Sequence, residues 1–297
     1  MLTVSAPSSQ PPAHGTLPFT ASTVVHGDNL PVLQSLPDES FSLIYVDPPF
    51  NTGRKQTRAG RKMTSAADGA GSHVGFKGRN YTIEVGQARS YQDRFDDYLS
   101  FIEPRLVQAH RLLAEHGTLY VHLDYREVHY VKVLLDQIFG RDCFLNELIW
   151  AYDYGARAKS RWPAKHDTIL VYVKDAKKYH FDSAEVDREP YMAPGLVTAE
   201  KRERGKLPTD VWWHTIVSPT GKEKTGYPTQ KPEGILRRII TASSKPGDWV
   251  LDFFAGSGTT GAVAAKLDRR FVLVDQNPEA IEVMRARLPE GTGYIEA

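Results

Sequence analysis

The sequence predicts an α/β fold, a mainly parallel sheet with helices on both faces. Three observations carry this. Strand-like and helix-like segments alternate along most of the 297 residues. The run Phe41–Val46, FSLIYV, is apolar almost throughout, as a strand covered on both faces must be. The last third reads as a βαβα unit with a glycine-rich turn between its first strand and first helix.

Taken in order, residues 1–20 are rich in Pro and Ser and are expected to form a disordered tail. They lack a basic segment followed by an apolar one, so no secretory signal is expected. Residues 21–297 are expected to form one domain. STVVHGD reads as a strand, NLPVLQSL as a helix and FSLIYVD as the next strand. Residues 51–90 are rich in Gly, Arg and Lys without periodicity, and are expected to be a long basic loop. FDDYLSFIEPRLVQAHRLLAEHG has helical spacing, with a kink or restart expected at Pro104 and an end at Gly117. TLYVHLD is a strand and REVHYVKVLLDQIFG a helix. FLNELIWAY and HDTILVYVKD form two more strands, read as an antiparallel pair at one edge. From Asp175 to Tyr227 charges, prolines and Trp212-Trp213 replace regular elements; a substrate-recognition insertion is expected within residues 151–226. KPEGILRRIITASS is a helix, DWVLDFF a strand, GTTGAVAAKLD a helix, RFVLVD a strand and PEAIEVMRARL a helix.

Composition limits the classes. The formal charge of +1 argues neither for nor against a polyanionic partner, so any basic surface is local. One cysteine, Cys143, permits no intrachain disulfide and suits a reducing cytoplasm. No run approaches the roughly 18 apolar residues of a membrane span. The ten histidines show no metal-site spacing.

In DWVLDFFAGSGTTGAVAAKL, Gly256, Gly258 and Gly261 have G-x-G-x-x-G spacing, and Asp275 ends the next strand. Glycines let the backbone approach a ligand, a helix N-terminus offers free N–H groups, and a carboxylate can bind ribose hydroxyls. A dinucleotide needs a second half after this unit, and too little chain follows Gly261 to supply one. A nucleoside cofactor such as S-adenosylmethionine fits more easily.

Three motifs then fall in a telling order: DPPF at Asp47–Phe50, YPTQKP at Tyr227–Pro232 and DFFAGSGTT at Asp252–Thr260. The chain resembles S-adenosylmethionine-dependent DNA methyltransferases acting on exocyclic amino groups, in the permuted β-group with the catalytic motif first. The match runs from about Thr23 to Leu288. The resemblance implies a Rossmann-like methyltransferase fold, a seven-stranded sheet whose last strand is inserted antiparallel and whose N-terminal strands complete it. It implies a cofactor site of Asp252, Phe254, Ala255, Gly256, Ser257, Gly258 and Thr259, with Asp275 on the ribose and Asp28 near the adenine. Thr229 and Lys231 would close that pocket.

The catalytic assignment falls on Asp47, Pro48, Pro49 and Phe50. A base NH2 is a poor nucleophile because its lone pair is delocalised. The Asp47 carboxylate and the Pro48 carbonyl offer two acceptors that localise it, stiffened by two fixed φ angles, and Phe50 can stack on a base that has left the duplex. Alignment and electrostatics supply the catalysis. Cys143 lies in no nucleophilic motif, so a ring-carbon reaction is not expected and the thiol is read as buried and structural.

Basic residues mark double-stranded DNA as partner: Arg54, Lys55, Arg58, Arg61 and Lys62 after the catalytic motif, and Arg157, Lys159 and Arg161 interleaved with Tyr152, Tyr154 and Trp162. Trp212-Trp213 reads as core. A homodimer and a cognate restriction endonuclease are further partners that the resemblance suggests. Adenine N6 and cytosine N4 both remain open. An NAD(P)-dependent oxidoreductase using the glycine loop leaves Asp-Pro-Pro-Phe unexplained, and an RNA methyltransferase is the second alternative.

Overall fold

A computed structural model describes residues 17–52, 54–65, 73–74, 80–93, 95, 97–153, 158–218 and 220–297, with backbone alone for the strands of 54–93. The elements in chain order begin with β1 (Thr23–His26), α1 (Asn29–Ser35) and β2 (Phe41–Val46). Three strands follow, β3 (Arg54–Ser65), β4 (His73–Val74) and β5 (Asn80–Asp93). Next come α2 (Tyr98–Leu112), β6 (Leu113–Leu123), α3 (Val128–Phe139), β7 (Phe144–Ala151) and β8 (His166–Val173). A short α4 (Ala199–Arg204) and β9 (Val211–Trp213) precede α5 (Glu233–Ser243), β10 (Trp249–Asp252), α6 (Thr259–Lys266), β11 (Arg270–Asp275), α7 (Pro278–Arg287) and β12 (Gly293–Glu296).

The main sheet has the order β12-β1-β11-β10-β2-β6-β8-β7-β9. From β12 to β6 every pairing is parallel; β8 runs antiparallel between β6 and β7. This is the reversed strand that the resemblance implied. β7 and β8 pair as expected, but β9 lies outside them, parallel to β7. Nine strands therefore stand where seven were expected, because the short VWW and GYIE segments add one strand at each edge. β1 sits between β11 and β12, so the two ends of the described chain complete one sheet.

Burial follows strand alternation. Leu43 and Tyr45 face a core shared with α5, α6 and α7, while Ile44 and Val46 face one shared with α1, α2 and α3. All six residues of β2 are buried, which explains why its sequence barely alternates.

Three expectations need correction. Residues 51–90 do not form a structureless loop: β3 and β5 pair antiparallel over most of their length, with β4 on β5. The segment NYTIEVGQARSYQD carries Tyr, Thr, Ile and Val at strand-favouring positions, and its charges masked that pattern. Of the kink or restart expected at Pro104, the restart does not occur, since α2 continues through that residue; Ile102, Leu106 and Ala109 are fully buried and hold it against the core. It ends at Leu112, five residues before Gly117, because Leu113 already pairs with Phe41 of β2. Among the described residues no helix is long and apolar enough to cross a membrane.

Candidate active site

Four neighbouring parallel strands end at one edge of the sheet. His26 is in register with Asp275, Leu273 with Asp252, and Leu251 with Ile44. The residues that follow these strand ends therefore converge: Asp28 after β1, Asp47 after β2, the glycine loop after β10, and Asp275 closing β11. In open α/β sheets the crevice beyond the strand C-termini is where ligands bind.

A cavity of about 370 Å³ lies there, lined by Asp28, Asp47, Pro48, Pro49, Phe50, Thr229, Lys231, Asp252, Phe254, Ala255, Gly256, Ser257, Thr259 and Asp275. That size suits a nucleoside-sized ligand. Gly258 is the exception among the residues assigned to the cofactor. It caps α6 with φ +71°, and a Cβ there would lie 2.6 Å from Met284 Cγ, so the turn and the packing of Met284 both call for glycine. Gly261 shows the same closeness: its Cβ would come 2.7 Å from Leu273 Cδ1, where helix meets strand.

The acids around this cavity are tightly bound. Asp275 Oδ2 accepts from the Gly256 N–H at 2.7 Å and Oδ1 from the Asn277 N–H at 2.8 Å. Burial nevertheless raises its pKa, the two backbone donors opposing that. Asp252 accepts from Thr260 Oγ1 at 2.6 Å and from the Phe254 N–H at 3.0 Å, and its burial, with the charge of Asp47, pushes its pKa up to about 7. Asp252 thus shapes the glycine loop from below. Asp28 caps α1 by accepting from the Leu30 N–H and also accepts from Arg105 at 3.2 Å.

Arg105 and Asn29 were not singled out from the sequence. Arg105 Nε donates to Asn29 Oδ1 at 2.6 Å, and Asn29 Nδ2 donates to the Phe253 carbonyl at 2.6 Å. The pair ties α2 to the glycine loop across the cavity wall. The available signal was a charge at a core-facing position of an otherwise apolar helical stripe, Ile102-Arg105-Leu106-Ala109.

Lys231 Nζ donates to Asp47 Oδ2, and both side chains are largely buried. Asp47 Oδ1 is buried and has no hydrogen-bond partner among the described residues. The Lys231 carbonyl accepts from Thr259 Oγ1 at 3.3 Å, and Gln230 braces the turn by donating to the Glu223 carbonyl and accepting from the Thr225 N–H. Thr229 has φ +60°, the left-handed region that a β-branched residue rarely enters.

A second cavity, about 640 Å³, opens on the other side of this segment and is lined by Phe50, Trp150, Tyr152, Arg161, Asp167 and Lys231 among others. Phe50, Tyr227, Thr229 and Lys231 line both cavities and separate them. Beneath them runs a buried polar chain. Tyr45 Oη and His122 Nδ1 are 2.8 Å apart, His122 Nε2 and Asp167 Oδ2 3.3 Å, and Tyr152 Oη donates to Asp167 Oδ1 at 3.0 Å. Burial alone would raise the pKa of Asp167, but its hydrogen bond to His122 and the nearby Lys231 charge hold it down. Burial and the Asp47 charge push the Tyr45 hydroxyl well above its ordinary range.

DNA methylases of the N6/N4 methyltransferase group match residues 41–286. The chain belongs to this DNA methylase family. The methylase is 33% identical over 282 residues to the DNA adenine methyltransferase YhdJ of Escherichia coli, covering 92% of this chain and 85% of that protein. It is 30% identical over 258 residues to the type II methyltransferase M.HpaI of Haemophilus parainfluenzae, covering 86% and 70%. Among solved structures, the PvuII cytosine-N4-specific DNA methyltransferase has a TM-score of 0.61 at 18% identity, covering 94% of this chain and 91% of that one. The M1.HpyAVI–SAM complex has 0.56 at 20%, covering 89% and 98%. These two share the fold. The methylase transfers a methyl group from S-adenosylmethionine to an exocyclic amino group of DNA.

The residues assigned to DNA divide. Lys159 and Arg161 are exposed beside the second cavity, which Arg161 lines. Arg157 lies outside the described residues, and so do the side chains of Arg54, Lys55, Arg58, Arg61 and Lys62, whose backbone forms β3. Trp212 is buried as expected, but Trp213 is 76% exposed, and Trp162 is 95% exposed next to Arg161. Cys143 is half-buried instead of buried, packed against the core with Sγ near the Lys174 carbonyl.

Proposed function

We propose that the methylase modifies adenine N6 in double-stranded DNA, with the flipped base in the 640 Å³ cavity and the cofactor in the 370 Å³ cavity. The observation that carries this reading is the buried, unpartnered Oδ1 of Asp47, which lines the first cavity and is bonded through Oδ2 to Lys231, a residue that lines both. A buried acceptor without a donor is costly in the free protein and calls for a ligand N–H. The first cavity fits S-adenosylmethionine: Asp275 faces it from the strand end where a ribose diol would lie, and Phe254, Gly256 and Ser257 border it. When bound, that cofactor supplies an electrophilic methyl on a positively charged sulfur.

Asp47 Oδ1 accepts one amino hydrogen and the Pro48 carbonyl the other, which localises the nitrogen lone pair. Asp47 would take up the proton that the amino nitrogen gives up on receiving the methyl, and the C–S electron pair would stay on the departing sulfur. Phe50 stacks on the base. Adenine is favoured over cytosine by the relative named a DNA adenine methyltransferase. A type II methyltransferase among the relatives supports a role beside a restriction endonuclease, in the cytoplasm.

Mass analysis of nucleosides from DNA treated with the enzyme and S-adenosylmethionine tests the reading. N6-methyladenine is expected; N4-methylcytosine would overturn the choice of base, and 5-methylcytosine the mechanism. Asp47→Ala is expected to abolish transfer while S-adenosylhomocysteine still binds.

A further inference from the structure

Lys231 was assigned to the cofactor by resemblance, yet its ammonium sits on the catalytic carboxylate. Three facts define its place. Nζ donates to Asp47 Oδ2, which is its one side-chain hydrogen-bond partner among the described residues. It lies 5.1 Å from the centroid of the Phe50 ring, on which the base would stack. And Lys231 lines both cavities. An ammonium carries three donors, so two remain beyond the bond to Asp47.

We infer that Asp47 and Lys231 together read the base: Oδ1 accepts from the amino group and Nζ donates to the ring nitrogen beside it. This rests on the function proposed above and names the chemical edge that its site accepts. The pair presents an acceptor next to a donor, one on each side of the same carboxylate. Adenine offers the complement, an NH2 beside an unprotonated N1, and cytosine offers the same with N3. Guanine and thymine present a carbonyl beside a ring N–H. Against this pair the carbonyl would meet the unpaired carboxylate oxygen and the N–H would meet the ammonium, two like-with-like contacts in a buried site. The ion pair therefore selects amino bases as a class and rejects keto bases, as the partner strand does in a duplex. It leaves adenine and cytosine to be separated by the rest of the second cavity. Lys231 also fixes which carboxylate oxygen is free. With Oδ2 held, Oδ1 faces the base and receives the proton.

The test is a chemical double cycle. Wild type and Lys231→Met are assayed on oligonucleotides carrying the target adenine or 1-deazaadenine, in which a C–H replaces N1. Should nucleoside analysis give cytosine as the target, 3-deazacytosine takes its place. Wild type is expected to lose about 10–100-fold in kcat/KM on the deaza base, the worth of a charge-assisted hydrogen bond. Lys231→Met is expected to fall to a similar level on the natural base and to lose less than about threefold more on the analogue. Lys231→Gln, which keeps a neutral donor, should restore part of the discrimination. Equilibrium binding of the same oligonucleotides, with S-adenosylhomocysteine present, should show the same pattern without turnover. Calorimetry should find S-adenosylhomocysteine affinity within about threefold of wild type in both variants. A deaza penalty equally large in Lys231→Met, or none in wild type, overturns the inference. So does a variant that keeps its fold but loses S-adenosylhomocysteine. Failure of wild type to methylate any DNA amino group would instead sink the underlying reading.

Discussion

Replacing Gly258 by alanine separates two tasks that a glycine in this loop can have, touching the ligand and allowing the turn. The left-handed backbone costs alanine about 1–2 kcal/mol. A Cβ placed 2.6 Å from Met284 Cγ and 3.3 Å from its Sδ must displace a fully buried side chain, which adds about 1–3 kcal/mol. The sum is about 2–5 kcal/mol, and for a chain of this length a melting point lower by roughly 3–8 °C. Gly258 is not among the residues lining the cofactor cavity, so the folded variant should hold S-adenosylhomocysteine within about threefold of wild type. Urea denaturation gives the stability and calorimetry the affinity. Combining the change with Met284→Ala should recover the packing part as a coupling energy of about 1–3 kcal/mol, leaving the backbone part in place. A variant as stable as wild type that loses tenfold or more in cofactor affinity would refute this account and return Gly258 to the binding surface.

Other consequences are equally direct. Asp252, with a native pKa pushed up to about 7 from 3.8, is stabilising when protonated. That contribution is complete below about pH 4 and is lost as pH rises through 7, by at most about 4 kcal/mol. Asp252→Asn should therefore lose less stability than wild type between pH 5 and pH 8 in urea titrations; parallel curves would discount the shift. Arg105→Met leaves Asn29 Oδ1 without its donor and should cost about 1–3 kcal/mol, with weaker S-adenosylhomocysteine binding; unchanged values would make the Arg105–Asn29 bond idle. Trp162→Ala removes an almost fully exposed indole beside Arg161. It should weaken DNA binding about 5–100-fold in gel-shift titrations while cofactor affinity holds, and equal DNA affinity would leave the indole without a partner.

The convergence of the strand ends on the candidate site was legible because its parts are local in sequence. An apolar run meeting Asp-Pro-Pro-Phe, and a glycine turn followed by an acid, each specify a strand end, and parallel register brings those ends together. What was missed depends on contacts between distant segments. Lys231 read as a pocket-closing residue because nothing in Thr-Gln-Lys-Pro says that its ammonium reaches Asp47, 184 positions earlier. The chain from Tyr45 to Tyr152 needs four strands in register before its members meet. β3 and β5 escaped notice because charged strands that form their own small sheet need no apolar alternation of the kind a core demands.

The position of β1 bears on how the protein comes to be made. Its neighbours on both sides, β11 and β12, come far later in the chain, and Ser22, just before it, bonds to Phe271, 249 positions on. At ribosomal rates of about 5–20 residues per second, β1 waits on the order of ten to fifty seconds with both edges unpaired. Thr-Val-Val is a β-prone segment, and an open edge of that kind invites pairing with other nascent chains. Deleting Gly293–Glu296 would leave one edge of β1 uncovered for good. Such a truncation should betray itself first by aggregation on expression, before any loss at the candidate site, whose four strands do not include β12.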